Sequence, residues 1–81
     1  MKTEIFADAI QNRNRLQFFY ECSEVTIEPY YITLENSGRK VIYGRISGSN
    51  IIKRFEYRYI ANIKVLEHNR FAPKIPFLYF N

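Results

Sequence analysis

The sequence predicts a mainly β domain of the α+β type, with one N-terminal helix followed by five short strands rolled into a small barrel and an aromatic C-terminal tail packed on it. Three observations lead there. Helical spacing of apolar residues is confined to the first fourteen positions, period-two alternation recurs in several short runs after them, and clusters of Asn, Ser and Gly separate those runs.

From Thr3 to Asn14 the apolar residues Ile5, Phe6, Ala9 and Ile10 fall at helical spacing, with Thr3 as N-cap, Glu4 near the positive end of the dipole, and Asn12 and Asn14 as the stop. A helix of about three turns persists in water only if its apolar stripe covers something. The stripe Ile5/Phe6/Ile10 is expected to plug one mouth of the barrel. Leu16, Phe18, Tyr20 and Cys22 then alternate with Arg15, Gln17 and Glu21 as the first strand. The pattern resumes at Val25 and Ile27 until Pro29, which lacks an amide donor and demands an edge, a bend or a strand end. The chain changes course there into Tyr30–Leu34.

Glu35-Asn36-Ser37-Gly38 is a turn by residue type. It leads into Arg39–Ser47, apolar on both faces and therefore central, in which Gly44 answers strong curvature or a close neighbour. After Ser47–Asn50, the run Ile51–Ile60 places Ile51, Phe55 and Tyr57 on one face, with Arg54, Glu56 and Arg58 on the other. A helical turn at Tyr59–Asn62 precedes a fifth strand, Ile63–Glu67. In the tail from Arg70, Pro73 and Pro76 interrupt regular structure, while Phe77, Leu78, Tyr79 and Phe80 are too apolar to leave in water. Two destinations stay open for it: its own barrel, or a second copy or partner protein.

With 81 residues the chain makes one domain, 1–81. A domain this small buries only about 60% of the surface its unfolded chain exposes, so large side chains must carry the core. Seven Phe and seven Tyr do so, each buried ring removing roughly 150 to 250 Å² from water. A single cysteine, Cys22, cannot form an internal disulfide and reads as a small core residue in a reducing compartment. Glu4 and Asp8 stand where a signal peptide is apolar, and no run of about 18 apolar residues occurs. The expectation is a mature cytoplasmic protein with no membrane partner.

The net charge of +4 is unevenly placed. Residues 1–38 carry three bases against six acids, a net of −3, and residues 39–81 carry nine bases against two acids, a net of +7. A basic second half favours phosphate-bearing or acidic partners, or self-association of unlike faces, against the plain alternative of a solvated basic surface.

The segments AIQNRNRLQFFYE, TIEPYYITL, GRKVIYGR and RFEYRYIANIKVL, between residues 5 and 71, resemble a WYL domain. The likeness rests on the Ala9-Ile10 helix followed by Leu16–Tyr20, the Ile27-Glu28-Pro29 step, the Gly38 turn, Gly44-Arg45, and Arg54-Phe55 followed by Ile60 and Ile63. It implies an SH3-like or Sm-like barrel acting as a sensor of nucleotides or nucleic acid in bacterial transcription regulation. Tyr20, Arg45 and Arg54 match positions of the family's motif. Lys40-Val41-Ile42 replaces its Trp-Tyr-Leu triplet, Val25 stands at a position usually basic, and Arg58-Tyr59 replaces an Asp-Arg pair. Part of the family's basic set is therefore missing, and no winged helix precedes the barrel.

Catalysis finds little support, because one His, one Cys and no acid or glycine cluster at a motif spacing leave nothing to assemble. His68 reads as a surface residue. No catalytic residue, metal or cofactor is expected. The expected function is non-enzymatic binding of a nucleotide or single-stranded nucleic acid through Tyr20, Arg45, Arg54, Arg58, Arg39, Lys40 and Tyr43. Arginine suits this role because its planar fork takes phosphate bidentately and stacks on bases. Arg54 and Arg58 share a face if their strand is regular, which allows either a cationic strip or a salt-bridge ladder with Glu56 and cross-strand acids. The alternative function is protein–protein interaction, as a homodimer or cap on a partner, through Phe77, Leu78, Tyr79, Phe80 and the barrel edge.

Overall fold

The computed structural model describes residues 1–72, with the side chains of 68–70 outside the description. Helix α1 (Lys2–Asn12) is followed by β1 (Asn14–Tyr20), β2 (Ser23–Leu34), β3 (Lys40–Ile46), β4 (Ile52–Glu56), a 3-10 turn at Tyr57–Tyr59, and β5 (Ile60–Arg70). The strands form one antiparallel sheet in the order β4-β3-β2-β1-β5. Among the described residues the fold is thus mostly β with a single helix. No β4–β5 ladder closes the sheet into a barrel among the described residues.

The apolar alternation builds the core. Leu16, Ile27 and Ile46 lie side by side across β1, β2 and β3, and Ile32, Ile42 and Phe55 do so across β2, β3 and β4. Helix α1 adds Phe6 and Ala9, both buried, while Ile5 remains 39% exposed. Phe55 meets the rings of Phe18 and Tyr20 edge-on at 5.3 and 4.9 Å. Contact between β4 and β1, three places apart in the sheet, requires a strongly curved sheet.

Several elements differ from their predicted form. Helix α1 has Met1 at its N-cap without a side-chain cap bond, and Thr3 Oγ1 instead donates to the Tyr57 hydroxyl at 3.3 Å. The helix is stopped by Arg13 in the left-handed conformation, φ 60, whose amide donates to Ile10. The first strand ends at Tyr20, so Cys22 sits exposed in a two-residue turn with Glu21, at φ 74 and φ 50, rather than in the core. The fourth strand stops at Glu56, which leaves Ile51 exposed before it and shifts the helical turn to Tyr57–Tyr59.

Pro29 lies inside β2, an internal strand, and the ladder to β3 shifts register between Pro29 and Tyr31. That irregularity accommodates the missing donor. Pro29 faces Gly44, where an added Cβ would stand 2.8 Å from both the Glu28 carbonyl oxygen and Ile27 Cδ1. The glycine is required by close approach, as predicted. Among the described residues no helix is long and apolar enough to cross a membrane. The tail residues Phe77, Leu78, Tyr79 and Phe80 lie outside the described residues.

Candidate ligand-binding face

The face of the sheet opposite the Phe18/Phe55 core holds Tyr43, Arg45 and Arg54 of the predicted site. Register places Tyr31, Tyr43 and Arg54 in one row across β2, β3 and β4, and Glu28, Arg45 and Ile52 in a second. Tyr31 and Tyr43 stack with ring centroids 4.8 Å apart and planes 14° from parallel. The outer ring, Tyr31, is 46% exposed. The Tyr31 hydroxyl ionises above its ordinary range, first because of partial burial and then because of Tyr43.

Arg54 is the hub of the charges in this row. Its Nε and Nη2 donate to the two oxygens of Glu35 at 2.6 and 2.9 Å, and Nη2 also reaches Glu56 at 3.0 Å. Glu56 accepts from Arg58 Nε at 2.9 Å and lies 3.9 Å from Arg39. Hydrogen bonding from Arg54 lowers the Glu35 carboxyl below the usual range. For Glu56, partial burial pushes upward, but bonds from Arg58 and Arg54 outweigh it and the net direction is down. Arg54 is raised in turn, chiefly by Glu35. Arg58 is not on β4: it lies in the 3-10 turn, its guanidinium 4.7 Å from the centre of the Tyr59 ring. Its link to Arg54 therefore runs through Glu56 rather than through strand alternation. The predicted strip is a network of mixed charge, three arginines to two glutamates.

Arg45 belongs to a different cluster. Glu28, 1% exposed, accepts from Arg45 Nε and Nη2 at 2.9 and 2.7 Å and from Arg15 Nη2 at 3.0 Å. The Tyr30 hydroxyl lies 3.3 Å from Glu28 Oε1. Arg45 also donates to the Ser49 carbonyl, and it is held charged by its bonds to Tyr30 and then Glu28. A buried carboxylate survives only when paired in this way, so Arg45 is committed to the framework of three strands.

The remaining predicted residues divide. Lys40 is exposed at the start of β3, opposite Leu34, and Arg39 is exposed beside Glu56. Tyr20 points to the core face, edge-on to Phe55 and 6.0 Å from Tyr59, with its hydroxyl accepting from the Glu56 amide. It does not join the arginine row. Tyr31 and Glu35 were not singled out from sequence; the turn at Gly38 carries a signal for Glu35, whereas the register shift between Pro29 and Tyr31 hides the face of Tyr31. Among the described residues no group of three or more His, Cys, Asp or Glu side chains is placed to hold a metal. Comparison with protein-family models, curated proteins and solved structures finds no match to this chain.

Proposed function

We propose that the chain is a non-enzymatic, WYL-like ligand-binding domain that takes a nucleotide or single-stranded nucleic acid on the Tyr31/Tyr43/Arg54 face, serving transcription regulation in the cytoplasm. The carrying observation is the solvent-facing Tyr31–Tyr43 stack with Arg54 beside it in register. An exposed ring accepts a base on its open face, a contact worth about 1 to 3 kcal/mol per base in single-strand binders. Arg54, Arg39 and Arg58 supply the phosphate contacts, with Lys40 at the margin. This reading takes the curved sheet as a small barrel of the SH3-like or Sm-like kind, open between β4 and β5. The strand order and the Phe55–Tyr20 contact support that geometry.

Fluorescence polarisation of a labelled oligothymidylate across a salt series tests the proposal. Binding is expected at low salt, weakening steeply as salt rises, and Tyr31→Ala is expected to lower affinity about tenfold or more. Absence of binding at low salt, or binding indifferent to Tyr31→Ala and Arg54→Ala, rejects it.

A second reading, a protein-interaction module, is favoured by one observation: edge strand β4 begins at Ile52, 49% exposed, directly after Ile51, 58% exposed. Such residues at a sheet edge suit pairing with another chain. Sedimentation of the protein with and without Ile52→Lys separates the two, since a dimer through this edge dissociates in the variant.

A further inference from the structure

The Arg54–Glu35 pair occupies the position that the proposed ligand requires. Tyr43 and Arg54 are direct cross-strand partners, so the two side chains leave the same face of the sheet. The Arg54 fork is filled in a bidentate manner by a carboxylate of the same chain. A carboxylate and a phosphate present the same pair of oxygens to the Nε/Nη2 edge of an arginine.

The position of Glu35 does not depend on this contact. Its amide donates to the Arg39 carbonyl at 2.9 Å and its carbonyl accepts from the Gly38 amide at 2.8 Å, so the turn between β2 and β3 is held by backbone alone. Its carboxylate, in contrast, rests at the surface, 27% exposed against 39% for Arg54. The pair is therefore reachable by a ligand anion from solvent.

We propose that Glu35 is an internal stand-in for the ligand's phosphate, seated on Arg54 in the free protein and displaced from it when a nucleotide phosphate binds. The inference rests on the reading of this face as a nucleotide site and adds the group that regulates it. Glu56 keeps its bond from Arg58 Nε, which does not involve Arg54, through the exchange. Displacement makes Glu35 a competitor that sets affinity without touching the ligand.

The test compares wild type, Glu35→Gln, Arg54→Ala and the double variant in polarisation titrations with labelled oligothymidylate, with Glu21→Gln as a control that removes the same charge from the distant β1–β2 turn. Glu35→Gln is expected to tighten binding up to about fivefold, the equivalent of one exposed pair. Glu21→Gln is expected to change it less, and Glu35→Gln in the Arg54→Ala background is expected to have no effect beyond that of the control. Binding by wild type with Glu35→Gln unchanged or weaker, or with the same gain in the Arg54→Ala background, overturns the stand-in and leaves the site reading intact. Absence of binding by both wild type and Glu35→Gln overturns the site reading and the stand-in with it.

Discussion

The backbone amide of Glu56 donates to the hydroxyl of Tyr20 across 3.1 Å, joining the end of β4 to the end of β1, strands that the sheet order holds three places apart. The bond spans the interior of the curved sheet beside the Phe55 ring. Tyr20→Phe keeps the ring contacts and removes the acceptor. It is expected to cost about 1 kcal/mol in urea unfolding while leaving oligonucleotide affinity unchanged, because Tyr20 lies on the core face. A loss of affinity at unchanged stability would give Tyr20 a binding role instead.

Gly44→Ala places a methyl group 2.8 Å from a backbone oxygen and from Ile27. The Ile27 methyl can rotate aside, but the Glu28 carbonyl cannot withdraw without moving β2 at its irregular Pro29 step. A destabilisation of about 1 to 3 kcal/mol is expected from overpacking, read as a fall in the urea midpoint at constant slope.

The turn between β1 and β2 places Glu21 and Cys22, two side chains with Cβ atoms, in the left-handed region. Both positions suit Asn-Gly, the pair preferred where two successive residues need positive φ in a hairpin. Replacing Glu21-Cys22 by Asn-Gly is expected to raise stability by about 1 kcal/mol, measured as a higher thermal midpoint. An unchanged or lowered midpoint would show that the turn carries no strain.

Glu35 and Glu56 both have carboxyl pKa values lowered in the folded chain. A group whose folded value lies below its unfolded value of about 4.3 contributes stability above that unfolded value. The contribution is lost as pH falls through the folded value. Stability is therefore expected to decline on acidification below about pH 4.3, and the decline is expected to be shallower in Arg54→Ala, which removes a base from both pairs. Equal acid limbs in the two proteins would contradict this.

How much was legible in the sequence follows from range. The strands are encoded by neighbours two residues apart and the helix by neighbours three and four apart, so local periodicity reads both, while the turn at Gly38 and the tight approach at Gly44 are read from residue type. Cys22 misled because alternation carries a strand one step past the point where the backbone turns, and nothing in its side chain marks the turn. Arg45 misled as a site residue because its partner Glu28 lies seventeen positions away, where only register brings them together. Tyr20 matched a family motif, yet its neighbours are Phe55 and the Glu56 amide, contacts created by curvature that no local pattern records. Tyr31 was missed because the register shift after Pro29 turns the parity of β2, so counting from Ile27 leaves its face ambiguous.

The cluster Arg15–Glu28–Arg45 joins three consecutive strands through one buried carboxylate. For a lineage in which this face gains or loses affinity for a ligand, that cluster divides the arginines into two kinds. Arg45 cannot be exchanged without taking two hydrogen bonds from the buried Glu28, so selection on binding is steered elsewhere. Arg39 and Arg58, tied through exposed pairs to Glu56 at the margin, have more room to vary, and adaptation of this surface would proceed from its rim inward.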